Sequence, residues 1–133
     1  MAVKNDITLP PGVLDNGIMW LNRYQAEQVA LLQEGERHAK DPKRELPYKP
    51  QADNLDALVY SILTDGQANP AETKGEANTA EMRRFLYRDR TRLSLYGAAL
   101  FGLALHSQGE AEQRDMIIRN IDQFVVTDRE NQT

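Results

Sequence analysis

From Leu93 to Val126 the chain reads as a helix apolar on almost every side, a turn marked by Gly109, and a second helix with one apolar stripe. No charged residue interrupts the run from Leu93 to Leu105. A helix apolar all round is buried all round. The expectation is therefore that Tyr96 to Leu105 is shut away from water and lined by other helices. Upstream, Ala57-Leu58-Val59-Tyr60-Ser61-Ile62-Leu63 matches Ala99-Leu100-Phe101-Gly102-Leu103-Ala104-Leu105 in order. Repeated helical hairpins with buried inner helices argue for a layered α/α array. Such hairpins bury a continuous core only when neighbours stack on both sides. The few hairpins present, ending without an evident capping helix at Asp128 to Thr133, point to a slice of a larger array.

The pattern predicts five helices and no strand, since no segment alternates with period two for long enough. Pro10-Pro11-Gly12 opens the first, which runs from Val13 to about His38. Leu14, Ile18, Leu21, Gln28 and Leu32 share its inner face, with Val13, Trp20 and Tyr24 beside it. Gly17 and Gly35 each cost about 1 kcal/mol relative to Ala, so the end past Gly35 is expected to fray. Residues 39–53, with three prolines between Lys40 and Pro50, form a surface loop.

Asp53 or Asn54 caps the second helix, whose Leu55, Leu58, Val59, Ile62 and Leu63 fit one helical face. Gly66 ends it, and residues 66–78 read as a second surface loop. Asn78 with Glu81 resembles a capping box for a short third helix, Thr79 to about Asp89, apolar at Met82, Phe85 and Leu86. The fourth runs from Leu93 or Ser94 to Gln108. The fifth runs from Ala111 to about Val126 with Ile117, Ile121, Phe124 and Val125 inward. The second and fourth helices play the inner part of the repeat, and the third and fifth follow as outer partners.

Composition narrows function. A length of 133 residues is one domain or a piece of one. With 41% hydrophobic and 27% charged residues the chain is too apolar for disorder. A net charge of −4 argues against nucleic acid, which needs a basic surface. No cysteine is present, which removes disulfides, thiolate metal sites and cysteine nucleophiles together. The apolar run is too short for the ~20 residues of a membrane span. Met1 to Asp6 lacks the apolar centre of a signal peptide, so either the protein is cytosolic or the chain is a piece of a longer one.

Several segments carry a specific resemblance. Leu9-Pro10-Pro11-Gly12-Val13 through Gly17-Ile18-Met19-Trp20-Leu21-Asn22-Arg23-Tyr24-Gln25 resembles the helix that follows the thioester helix in alpha-2-macroglobulins. Phe85-Leu86-Tyr87-Arg88-Asp89-Arg90, Leu95-Tyr96-Gly97, Phe101-Gly102-Leu103-Ala104-Leu105-His106, and Arg119-Asn120-Ile121 through Asp128-Arg129-Glu130-Asn131-Gln132-Thr133 resemble the large bacterial members of that family. The similarity spans nearly the whole chain. It implies that residues 1–133 are a fragment of a single thioester-type domain, an all-α fold of helical hairpins stacked as a partial α/α toroid.

Members of the family trap proteinases: cleavage of a bait region rearranges the molecule and exposes a buried Cys–Gln thioester. The thioester motif is Cys, one residue, Glu, Gln, and without a cysteine this chain does not hold it. Glu130-Asn131-Gln132 matches its tail only superficially. The resemblance therefore implies a non-catalytic structural segment of a broad-spectrum proteinase inhibitor, periplasmic or extracellular. Its partners would be other domains of the same parent chain and, through them, proteinases. No catalytic, cofactor-binding or metal residue is carried over, and neither nucleic acid binding nor membrane insertion of this segment is expected.

The side-chain chemistry agrees. His38 and His106 each sit near a helix C-terminus, where a positive charge is favourable, and neither has a His or Cys partner for a metal. Arg83, Arg84, Arg88, Arg90 and Arg92, with Tyr87 among them, are either an anion- or partner-binding patch or a solvated face pairing with Glu81, Asp89 and neighbouring domains. The run Glu110 to Arg114 reads the same way. Ser94 and Ser107 lack an activating base. Trp20 and Tyr24, at i, i+4, read as core packing. Gly97, Ala98, Ala99, Gly102 and Ala104 make the fourth helix thin, so that neighbours can approach closely and form a rigid platform.

Two other classes compete. A helical-repeat scaffold would bind a protein on its concave side. A terpenoid cyclase or prenyltransferase would share the α/α toroid, but Asp53 and Asp56 are too few for an Asp-rich motif and zinc-binding cysteine is missing.

Overall fold

A computed structural model describes residues 12–65 and 73–131. Pro10, Pro11, Gly66 and the expected loop positions up to Glu72 lie outside the described residues. The chain is all-helical there: α1 Val13–Lys40, α2 Asn54–Thr64, α3 Thr73–Arg88, a 3₁₀ turn Arg90–Arg92, α4 Leu95–Ser107 and α5 Ala111–Asn131, with no strand among the described residues.

The packing radiates from α2, which lies against α1, α3 and α4; α1 also meets α3, and α5 packs on α4. The core is built of Val29 and Leu32 from α1, Ala57 and Tyr60 from α2, and Met82, Phe85 and Leu86 from α3. Phe101, Leu105 and Ile117 complete it. At its centre Tyr60 meets Phe101 edge to face, centroids 5.6 Å apart.

The helix ends follow local chemistry. Asp53 caps α2 by accepting the Asp56 N–H at 2.9 Å, while Asp56 accepts the Asp53 N–H at 3.0 Å, a capping box built from two aspartates. Ser94 caps α4 through the Gly97 N–H at 3.1 Å. After α4, Gly109 takes a φ of 75°, as expected of a left-handed turn.

Four expectations are corrected. First, α3 begins at Thr73, so 73–78 of the expected loop is helical and Asn78 lies inside the helix; Lys74, Glu76 and Ala77 are good helix formers that outweigh Gly75. Second, of the expected inner face of α1 Leu32 is buried, but its buried companions are Gln25 and Val29, not Ile18, Leu21 and Gln28. Here α3 lies along the C-terminal half of α1, where Thr79, Glu81 and Arg84 hydrogen-bond to Gln25, Gln33 and Glu36. Ile18 and Leu21 are half-buried. Trp20 is 59% exposed and stacks on Tyr24 instead of packing in the core.

Third, α4 is not enclosed. It buries Gly97, Ala98, Phe101, Ala104 and Leu105, whereas Tyr96, Ala99 and Leu103 form an open face, Leu103 at 68% exposure. Its substantial neighbours among the described residues are α2 and α5, which leave that side uncovered. Fourth, Phe124 and Val125 of α5 are exposed, although Ile117 is buried and Ile121 lies against the core. The 21 residues of α5 span about 31 Å and the 13 of α4 about 20 Å, so the last turns of α5 outrun their support.

The repeat survives only in part. Val59 and Leu63 are buried like their counterparts Phe101 and Leu105, but buried Ala57 corresponds to exposed Ala99.

Candidate functional site

The proline-bearing linker is pinned to the helices, not loose over them. The Lys49 N–H donates to the Leu31 carbonyl at 3.0 Å. Its ammonium reaches Asp56 Oδ2 at 2.6 Å, Gln28 Oε1 at 2.9 Å and Asp53 Oδ2 at 3.0 Å. Burial pushes the Asp56 carboxyl above the ordinary range despite Lys49 beside it. Burial alone would lower the Lys49 pKa, but its hydrogen bonds to Asp56 and Asp53 outweigh that and raise it. Further along, the buried Asp89 accepts the Ala52 N–H at 2.8 Å and the Arg88 guanidinium at 2.7 Å. On α1 the buried Glu34 takes Arg44 at 2.9 Å, and this bond holds the carboxyl below its usual range.

The arginine cluster is largely spoken for. Arg84 pairs with Glu81 at 2.6 Å and Glu36 at 2.9 Å, and Arg83 pairs with Glu110 at 3.2 Å. Arg88 pairs with Asp89, as the sequence suggested, and Arg92 donates to Gln51. In the run after α4, Arg114 contacts Asp115 and His106. His38 stacks on Tyr48 at 4.1 Å. Both histidines occupy the last turns of their helices. Ser94 is a helix cap, and the Ser107 hydroxyl donates to the Ala104 carbonyl. Among the described residues no group of three His, Asp or Glu is placed to hold a metal, and no helix is long and apolar enough to cross a membrane.

A cleft of about 240 Å³ lies where the 3₁₀ turn, the start of α4 and the middle of α5 converge. Leu93, Ala98, Ile121 and Phe124 form its apolar lining, and Arg90, Thr91, Ser94 and Asn120 its polar part. Arg90 is fixed by donating to the Tyr87 carbonyl at 2.8 Å and lying 4.2 Å over the Tyr87 ring. Its Nε and the Asn120 Oδ1 are buried without a hydrogen-bond partner among the described residues. Sequence reasoning grouped Arg90 with a surface patch and did not single out Asn120. The available signal was an amide three residues after the inward Ile117, on a face that otherwise reads as apolar.

No family model, curated protein or solved structure matches the chain.

Proposed function

We propose that this chain is a non-catalytic structural segment of a bacterial alpha-2-macroglobulin-like, broad-spectrum proteinase inhibitor, from its thioester-type domain but downstream of the thioester itself. In this reading α2 and α4 are adjacent inner helices of an α/α toroid, and α3 and α5 are outer ones. The segment acts in a periplasmic or extracellular protein as a platform against which the reactive bond is shielded. Its partners are the other domains of its parent, and proteinases are met by the whole molecule.

The observation that supports this best is α4, which contains two of the segments that carry the resemblance, Leu95-Tyr96-Gly97 and Phe101-Gly102-Leu103-Ala104-Leu105-His106. It is uncharged from Leu95 to Leu105, buried on one side, and open along Tyr96, Ala99 and Leu103. An apolar helix face without a neighbour belongs against further protein. A toroid supplies it from the next helices of the ring.

The test uses a thiol introduced by Leu103→Cys, the only one in a cysteine-free chain. Alkylation of that thiol should be rapid in the isolated chain and far slower in the full-length gene product. Equally rapid alkylation in both would leave the runner-up, a helical-repeat scaffold whose open face docks a separate protein.

A further inference from the structure

We infer that the N-terminal half of α1 docks on the same surface of a second copy, the two helices antiparallel and crossing at Met19. The inference rests on α1 alone and holds whether or not the parent molecule traps proteinases.

The apolar part of the contact is open to solvent. While α3 lies along the C-terminal half of α1, Met19 and Trp20 earlier in the helix each keep more than half of their surface in water. Ile18 and Leu21, on the other side of the helix, are half-buried. Trp20 does not hang free: its ring stacks on Tyr24, centroids 5.5 Å apart and planes within 14°. An aromatic ring already held in place loses little freedom when a partner covers it. Exposed apolar side chains rimmed by charged ones mark surfaces where proteins meet.

The charges name the partner. Asp15, Met19, Arg23 and Glu27 follow one another at four-residue spacing, and all four are exposed. They form a single ridge, each step about 6 Å along the axis. A two-fold contact pairs residue i of one copy with residue j of the other, and j with i. With Met19 on the axis, Asp15 of each copy meets Arg23 of the other, so two opposite-charge pairs flank the apolar centre. A parallel pairing would set Asp15 against Asp15 and Arg23 against Arg23. An antiparallel pairing centred midway between Met19 and Arg23 would set Asp15 against Glu27. One centred on Arg23 would place two like charges on the axis. Of these arrangements the crossing at Met19 alone is complementary, and a second copy supplies the matching spacing by symmetry. Two helix segments cover far less than the standard interface of about 800 Å² per partner, so the dimer is weak and reversible.

The test is sedimentation equilibrium of the full-length gene product over a concentration series. A reversible monomer–dimer equilibrium is expected, weakened by added salt because its ion pairs are exposed. Asp15→Arg and Arg23→Asp each turn two attractive pairs into two repulsive ones. Either should lower the association constant roughly tenfold. Mixed in equal amounts, the two variants should associate again, because one then carries both positive ends of the contact and the other both negative ends. A substitution that merely frayed α1 would not recover on mixing. A monomer at every concentration, association indifferent to both reversals, or a mixture no tighter than either variant alone would overturn the inference.

Discussion

The carbonyl of Lys49 passes directly over Gly35: a Cβ added to Gly35 would overlap the Lys49 oxygen and lie 3.2 Å from its carbon. The linker can hydrogen-bond to α1 only because α1 has no side chain there. Gly35, expected as a point of fraying, is a docking notch.

That contact decides the sign of a substitution. In an open helix Gly→Ala stabilises by about 0.5–1 kcal/mol. Gly17, with nothing within 4 Å of its added Cβ, should follow that rule. Gly35→Ala should instead destabilise by roughly 1–3 kcal/mol, because a backbone atom cannot step aside. Urea melts of the two variants should move in opposite directions.

Lys49→Met should cost about 3–5 kcal/mol, since it strands the Asp56 carboxylate, whose side chain is 0% exposed. Arg84→Met, at a pair that stands largely in water, should cost less than about 1 kcal/mol. Comparable losses in the two chemical-denaturation midpoints would mean that the Lys49 cluster is not buried as described.

Tyr60 carries an alkaline signature. Burial raises its phenol from 10.0 to about 12. A pKa raised on folding gives stability that is complete below pH 10 and lost as the pH climbs through about 12. At ~1.4 kcal/mol per unit this amounts to roughly 2–3 kcal/mol. Lys49, also raised, weakens the fold in the same alkaline direction, so the reading comes from comparison with Tyr60→Phe. That variant should lose about 1 kcal/mol at neutral pH, where the hydrogen bond to Gln108 is missing, and show a shallower decline above pH 10. Parallel declines in the two proteins would contradict it.

Gly102→Leu tests the seam between α4 and α5. A Cβ on Gly102 would meet Ile117 Cγ2 at 3.3 Å, closer than ordinary packing, and three further carbons have to be seated beyond it. Overpacking of that kind costs on the order of 1–3 kcal/mol, and the thermal midpoint should fall accordingly. An unchanged midpoint would mean that α5 is not seated on α4.

Much of this was legible in the sequence because it is written locally. Asp53 before Leu55 and Gly109 after Gln108 are caps whose partners lie within a few residues, and Ser94, read only as a possible helix start, is a third. What escaped depends on contacts distant in sequence. Gln25 and Glu34 look like surface residues of α1 until the Thr79 hydroxyl accepts from the Gln25 amide and Arg44 donates to the Glu34 carboxylate. Periodicity also reports how apolar a helix is, not how many neighbours it has. Tyr96 and Leu103 thus looked enclosed, while the described helices cover the other side of α4. The cleft was hidden for the first of these reasons, since Arg90 and Asn120 come from separate elements.

The proposal that this helical platform belongs to a proteinase trap meets its sharpest check when the full-length gene product is incubated with trypsin. Trapping predicts that trypsin loses activity toward a large protein substrate while it still cleaves a small chromogenic peptide. Unchanged activity toward both substrates would contradict it.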